Sequence, residues 1–254
     1  MIHMDKWLRQ WIAYRRTLRD ADIIVHVIDA RNIFETLNKG LNKYKSKLLI
    51  AVNKCDLVPE EEMRGIPKRL YGYKHVLVSG KTGFGMHQFY MAVNSMARTK
   101  PAKVAMVGYP NVGKSLLMNR LGRRSVARVS PIPGETKGVQ WVNVGDFFLM
   151  DTPGVIPESE HGGKELVMKG AVRADKIPSP EPIAEEILEK FMKEKPDALA
   201  KLYDIVLRKT DTPDKLLERI ARRRGKLLKA GELNLFETAK LVIRDYQIGK
   251  LSKR

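Results

Sequence analysis

The sequence contains a single cysteine, Cys55. One thiol cannot build an intramolecular disulfide framework or a multi-cysteine zinc site, and such a shortage points to a reducing compartment. No apolar run approaches the roughly 20 residues that would span a bilayer. The N-terminal stretch has Asp5, Lys6 and Arg9 among its apolar residues and so lacks the apolar core of a signal peptide. A soluble, cytoplasmic protein is therefore expected. Acidic residues are also scarce, with 29 Asp+Glu against 47 Lys+Arg and a net charge of +18. That excess is larger than solubility requires and implies a polyanionic partner; RNA, DNA or an anionic membrane surface would each serve. The bland alternative is a thermophile's charged surface, but that enrichment raises both signs together.

What is present is enough for a core. Apolar residues make up 43% of 254 positions, sufficient for one nucleotide-binding domain and a smaller second domain. From Trp7 to Leu18 apolar residues recur at helical spacing with Arg9, Arg15, Arg16 and Arg19 between them, which predicts an amphipathic helix with a basic face. Three short apolar segments follow, at 23–28, 48–52 and 76–78, separated by stretches long enough for crossover helices. This is the pattern of buried parallel strands. Each ends in a polar residue, Asp29, Asn53 and Ser79, and ligands of α/β sheets sit at those carboxyl ends. After the connector Thr99–Ala102, Val104–Val107 reads as a fourth strand, and 139–144 with 147–150 around Gly145-Asp146 reads as a hairpin. Strand signals stop near residue 175. The run Ile177–Pro182 holds three prolines and reads as a stiff linker, followed by helical patterns to the end. Residues 205–254 carry 14 Lys+Arg against 6 Asp+Glu.

Gly108–Ser115, GYPNVGKS, matches the G-x-x-x-x-G-K-[ST] phosphate loop and lies between a predicted strand and a predicted helix. Its glycines let successive backbone N–H groups and the helix N-terminus face phosphates; Lys114 would reach the β- and γ-phosphates and Ser115 would ligate Mg²⁺. Asn53-Lys54-Cys55-Asp56 matches the guanine-reading N-K-x-D. Asp56 can accept from the two donors of the guanine edge, which adenine lacks, while Asn53 braces the loop and Lys54 can lie across the ring. Ser79-Gly80-Lys81 resembles the companion loop whose backbone contacts the guanine carbonyl. Asp151-Thr152-Pro153-Gly154 matches D-x-x-G, whose Asp holds Mg²⁺ through water and whose Gly N–H senses the γ-phosphate. Pro133–Thr136 supplies the switch threonine, Thr136, expected to close over the metal. Any of the weaker loops alone could be an ordinary turn, but five in compatible roles at strand ends are not a coincidence.

Their order is reversed. N-K-x-D and S-x-K precede the phosphate loop, the threonine loop and D-x-x-G, whereas an ordinary G domain runs the other way. The chain therefore resembles the circularly permuted GTPases, specifically the YlqF/RbgA family. Further matches are Asp29-Ala30-Arg31, the stretch Leu166 to Lys176, and the tail from Arg224-Gly225-Lys226 to Ile243–Leu251. Two departures are that only His3-Met4 remains of the family's N-terminal Pro-Gly-His-Met and that the tail ends early.

The resemblance implies a circularly permuted P-loop GTPase domain, α/β with a mostly parallel sheet and helices on both faces, plus a C-terminal all-α domain. The boundary is placed at 175/176. GTP and GDP would be held by Asn53, Lys54, Asp56, Ser79, Gly80, Lys81, Asn111, Val112, Gly113, Lys114, Ser115, Leu116, Thr136 and Gly154. Lys114, Thr136 and Gly154 would act in hydrolysis, and Ser115, Thr136 and Asp151 would hold Mg²⁺. Val155 stands where many GTPases carry the water-positioning glutamine, so intrinsic turnover should be slow, and the family suggests His3 in its place. Asn111 matches the asparagine with which potassium-dependent GTPases hold K⁺. The cluster Arg219, Arg222, Arg223, Arg224, Lys226 and Lys229 would bind RNA phosphates. The expected function is a monomeric GTP hydrolase that binds ribosomal RNA or a large-subunit precursor, with no membrane partner. Alternatives are a GTPase in RNA modification and an RNA-binding module in which hydrolysis is incidental. Because the helical domain follows D-x-x-G directly in the chain, nucleotide state could bias it.

Overall fold

The computed structural model describes residues 12–124, 130–131, 142–143, 145–151, 167–168, 170, 172–229 and 231–252. It divides into two compact units, Met1–Ser159 and Glu160–Arg254.

Among the described residues the first unit holds seven strands: β1 (Ile23–Asp29), β2 (Leu48–Asn53), β3 (His75–Leu77), β4 (Ala102–Val107), β5 (Ser130–Pro131), β6 (Val142–Asn143) and β7 (Phe147–Asp151), in the order β3-β2-β1-β4-β7-β6-β5. The first five in that order run parallel, while β6 pairs antiparallel with both β7 and β5. All seven residues of β1 and all six of β2 are buried, as expected of strands covered on both faces. Ile24, Ile28, Ile50 and Val52 point to one core with Leu18, Ile33, Ile66 and Leu70. Those partners come from α1 (residues 12–20), α2 (Ile33–Thr36), and α3 (Glu60–Arg69) with its C-cap Leu70. On the other face lie α4 (Met86–Met96), against β2 and β3, and α5 (Lys114–Arg124), against β4 and β7. The hairpin expected around Gly145 is present as β6 and β7. Its turn uses Gly145 at φ +82°, with Gly145 N–H donating to Asn143 Oδ1 at 3.0 Å.

One crossover departs from expectation. Between β1 and β2 a four-residue α2 and two short 3₁₀ turns over Lys39–Lys47, broken at Tyr44, stand where the spacing allowed a full crossover helix. The segment KGLNKYKSK buries only Leu41, so it has no apolar stripe with which to hold an α-helix on the sheet.

The second unit holds α6 (Glu181–Glu194), α7 (Pro196–Tyr203), α8 (Pro213–Arg223) and α9 (Leu235–Gln247). Prolines in the first turns of α6, α7 and α8 suit positions with no intrahelical N–H bond to lose. Ile187, Leu188, Tyr203, Leu217, Ile220, Val242 and Ile243 form its core. Asn234 caps α9 by accepting from Glu237 N–H at 3.0 Å. The expected boundary at 175/176 followed the proline-rich stretch; in the structure Val167, Ala174 and Ile177 are all buried in the core of the second unit.

Candidate nucleotide site

The phosphate loop begins where β4 ends. Gly108 adopts φ +146°, and a Cβ there would lie 2.3 Å from the Val27 carbonyl oxygen of the neighbouring β1. Only glycine lets the chain turn so close to that strand. Asn111 takes the left-handed conformation at φ +61°, which asparagine tolerates better than most residues. Lys114 opens α5 and is buried; its Nζ donates to the carbonyls of Gly108 at 3.0 Å and Tyr109 at 2.9 Å, so the ammonium is held across the loop. The loop thus joins a strand to a helix N-terminus, where unpaired N–H groups favour a phosphate.

Asn53 ties this loop to the N-K-x-D and S-x-K loops. Its Nδ2 donates to the Val112 carbonyl at 2.7 Å, and its Oδ1 accepts from Gly80 N–H at 2.9 Å. Asp56 lies in a short 3₁₀ helix, Cys55–Leu57, where its Oδ1 accepts from Ser79 Oγ at 2.6 Å; Ser79 Oγ in turn accepts from Thr82 N–H at 3.0 Å. A Cβ on Gly80 would come 3.0 Å from Leu116 Cγ, which places the start of α5 against the second loop. Cys55 is incidental to this chemistry. Its thiol donates to the Val52 carbonyl at 3.2 Å, and burial pushes it up to about 11.

Two residues outside the motifs complete the arrangement. Arg120 of α5 donates to the carbonyls of Gly80 and, at 2.6 Å, Lys81, fastening the S-x-K loop to the helix that carries the phosphate loop. Asp29, buried at the end of β1, accepts from Arg31 Nε at 2.9 Å and Nη2 at 2.7 Å, and from Lys54 Nζ at 2.9 Å. Burial alone would raise the Asp29 carboxyl, but Arg31 and Lys54 outweigh it and hold the group at about 2. Lys54, itself at φ +66°, is thereby fixed by a residue of the neighbouring strand. The strand order explains this, because β1 lies between β2 and β4 with Asp29 in register with Asn53. Asp29 could be suspected from its strand-end position; Arg120 gave no sequence signal.

β7 brings Asp151 beside the phosphate loop, in register with Met106. Thr136, Gly154, Val155 and His3 lie outside the described residues. No group of three or more His, Cys, Asp or Glu among the described residues could hold a metal, and no helix among them is long and apolar enough to cross a membrane.

The expected RNA cluster is not uniform. Arg219 is held by Asp211 at 2.6 Å, Arg223 pairs with Asp204, and Arg224 donates to the Leu202 carbonyl and lies 5.8 Å over the Tyr203 ring. Arg222 and Lys229 are exposed, and Lys226 is half-buried.

The sheet order places a phosphate loop after the guanine-reading loops yet in contact with them, which is a G domain with its chain ends relocated. A family model described as a 50S ribosome-binding GTPase matches residues 103–223, beginning at β4 and therefore missing both guanine-reading loops. Solved structures of YlqF cover 93% of the chain: a GDP-bound form at TM-score 0.67 and 23% identity, and a GNP-bound form from T. maritima at TM-score 0.63 and 22% identity. They account for 94% and 92% of those chains. The chain has the circularly permuted P-loop fold of these YlqF structures. It is 35% identical over 246 residues to the uncharacterized GTP-binding protein MJ1464 of Methanocaldococcus jannaschii, covering 93% of this chain and 64% of that protein. It is 31% identical over 258 residues to the nucleolar GTP-binding protein 2 of Saccharomyces cerevisiae, covering 96% and 52%. The chain thus spans between about half and two thirds of the length of these relatives.

Proposed function

We propose that this chain binds GTP, hydrolyses it to GDP and phosphate, and uses the cycle to control docking on ribosomal RNA of a large-subunit precursor. The observation that carries the reading is Asn53, one side chain linking the guanine loop, the S-x-K loop and the phosphate loop. A site joined in this way senses base and phosphates together. Lys114 and the loop N–H groups stabilise charge on the phosphates, with Thr136 and Gly154 as the switch contacts. Ser115, Thr136 and, through water, Asp151 are hard oxygen donors of the kind Mg²⁺ takes, and Mg²⁺ when bound neutralises the charge that develops on the leaving oxygens. Asn111 is the K⁺ ligand in this reading, and His3 orients the attacking water. In the second unit, which forms the RNA-binding domain, the exposed Arg222 and Lys229, with Lys226 and the outer faces of Arg223 and Arg224, contact phosphates, while Arg219 serves mainly to hold Asp211. The protein acts as a monomer in the cytoplasm.

The relatives' descriptions, one a 50S ribosome-binding family and others nucleolar GTPases, support the ribosomal partner. Sedimentation with each ribosomal subunit, under GDP and under a non-hydrolysable GTP analogue, tests it. Large-subunit binding that depends on the nucleotide is expected. Single-turnover hydrolysis unchanged by either subunit, with no co-sedimentation, would refute the reading.

A further inference from the structure

The nucleotide loops occupy the carboxyl ends of the strands; the opposite end of the first unit carries a different surface. Two segments meet there, the 3₁₀ turns that feed β2 and the turn between α3 and β3. Positions 38–48 and 60–75 together hold eight Lys or Arg against three glutamates, Glu60, Glu61 and Glu62, all in the first turn of α3. Tyr73 OH donates to Asn42 Oδ1 at 2.7 Å, which ties the segments together. Lys45 Nζ lies 5.6 Å from the Tyr73 ring centroid and 3.6 Å from where a Cβ on Gly72 would stand. Lys43 Nζ lies 5.3 Å from the Tyr44 ring. Next to them Tyr71 is 92% exposed, with Lys68, Arg69 and Lys74 also exposed. Lys47 is already committed, donating to the carbonyls of Arg19 at 3.0 Å and Ala21 at 2.6 Å, near Asp20 and Asp22. Arg64 pairs with Glu60 at 2.6 Å, whereas no ion pair engages Lys43, Lys45 or Lys74 among the described residues.

Tyr71 stands almost wholly exposed among these lysines. Cations spaced for phosphates, interleaved with an aromatic ring open to stacking, are what a single nucleic-acid strand requires. An acidic protein would satisfy the lysines but leave the ring without a flat partner. We propose that this end of the GTPase unit is a second RNA-binding surface, taking a single-stranded segment with a base stacked on Tyr71 and phosphates on Lys43, Lys45 and Lys74. This rests on the RNA reading above but is separate from the helical unit. Leu48 and Asn53 bound β2, so the surface lies roughly 17 Å from the guanine loop, and the site can be altered without touching nucleotide contacts.

The test uses the full chain and a fluorescent single-stranded oligouridylate, with anisotropy titrations at several salt concentrations and ultraviolet crosslinking mapped by peptide. Three proteins are compared with wild type: Tyr71→Ala, the triple variant Lys43→Glu/Lys45→Glu/Tyr71→Ala, and Arg222→Glu/Lys229→Glu in the helical unit. Tyr71→Ala should weaken binding about tenfold, and the triple variant further with a flatter salt dependence, while GDP affinity stays at the wild-type value. Crosslinks should appear in the peptide containing Tyr71 and Tyr73. Wild-type RNA affinity in both Tyr71 variants, with binding lost only in the helical-unit variant, would overturn this surface and leave the RNA reading standing. No RNA binding by wild type would overturn both. Unchanged RNA binding with lost binding to polyglutamate would assign the surface to an acidic protein instead.

Discussion

The amide of Asn53 occupies the space beside Gly113: a Cβ on that glycine, which sits at φ +97°, would lie 2.3 Å from Asn53 Nδ2. The glycine that ends the phosphate loop therefore also makes room for the residue that braces the guanine loop. Gly113→Ala should weaken GTP and GDP alike by roughly a hundredfold, about 3 kcal/mol, from left-handed strain and displacement of Asn53. Calorimetric titration that returned wild-type affinities would contradict this coupling.

Asp56 accepts from Ser79 Oγ through Oδ1. Asp56→Asn replaces one acceptor with a donor, so guanine should lose affinity and xanthine, with a 2-oxo acceptor, should gain it. Competition between GDP and xanthosine diphosphate reads the preference directly, and an unchanged preference for GDP would remove Asp56 from base recognition.

Asp29 is the shared counter-charge of Arg31 and Lys54, whose side chains are only 10% and 23% exposed. Asp29→Asn leaves two nearly buried cations uncompensated and should cost on the order of 3 kcal/mol of stability in the first unit, with looser guanine binding. The carboxyl is held down at about 2, so its contribution is present above its ordinary pKa near 4 and is lost only as pH falls toward 2. The deficit of the variant in urea melts should hence be the same at pH 6 and pH 8; a deficit that varied across this range would mean another group is involved.

His26 is wholly buried in β1, beside a cavity of about 10 Å³ that Gly108 and Tyr109 also line, and burial holds its pKa at about 3. Unfolding exposes an imidazole of ordinary pKa near 6.5, so the unfolded state binds more protons between these values and stability falls as pH drops below 6.5. His26 alone should make the first unit about 2 kcal/mol less stable at pH 5 than at pH 7. A His26→Leu variant should lose that part of the pH dependence in denaturant melts, and identical slopes for the two proteins would show that the histidine does not titrate on unfolding.

Asn111 takes the left-handed conformation in the phosphate loop. If it holds K⁺ beside the phosphates, turnover should rise at least several-fold in K⁺ over Na⁺ at equal ionic strength, because the cation stabilises charge moving onto the leaving oxygens. Asn111→Ala should abolish the difference. Equal wild-type rates in the two salts would leave Asn111 with only the shape of the loop to maintain.

The motifs and their reversed order were legible in the sequence because each is a local chemical requirement: glycines where backbone meets phosphate, a carboxylate where guanine donates, strands of continuous apolar residues leading into both. The parallel sheet followed from those strands and their spacing. The crossover between β1 and β2 was less legible, since spacing reports length and the 3₁₀ turns arose from the lack of an apolar stripe. The proline-rich stretch placed the boundary at 175/176 because prolines mark stiffness, whereas the compact units divide at Ser159/Glu160 and Val167, Ala174 and Ile177 pack in the second core.

By itself the sequence determined the motif each loop carries and its place at a strand end. Only the tertiary structure decided which loops share a side chain. Asn53 reaches Val112, 59 residues away, Lys54 reaches Asp29, 25 residues back, and Arg120 reaches Lys81, 39 residues back. These partnerships follow from the strand order β3-β2-β1-β4, which places the ends of four distant segments side by side. A polar side chain has many acceptors within chemical reason, and long-range packing alone selects among them.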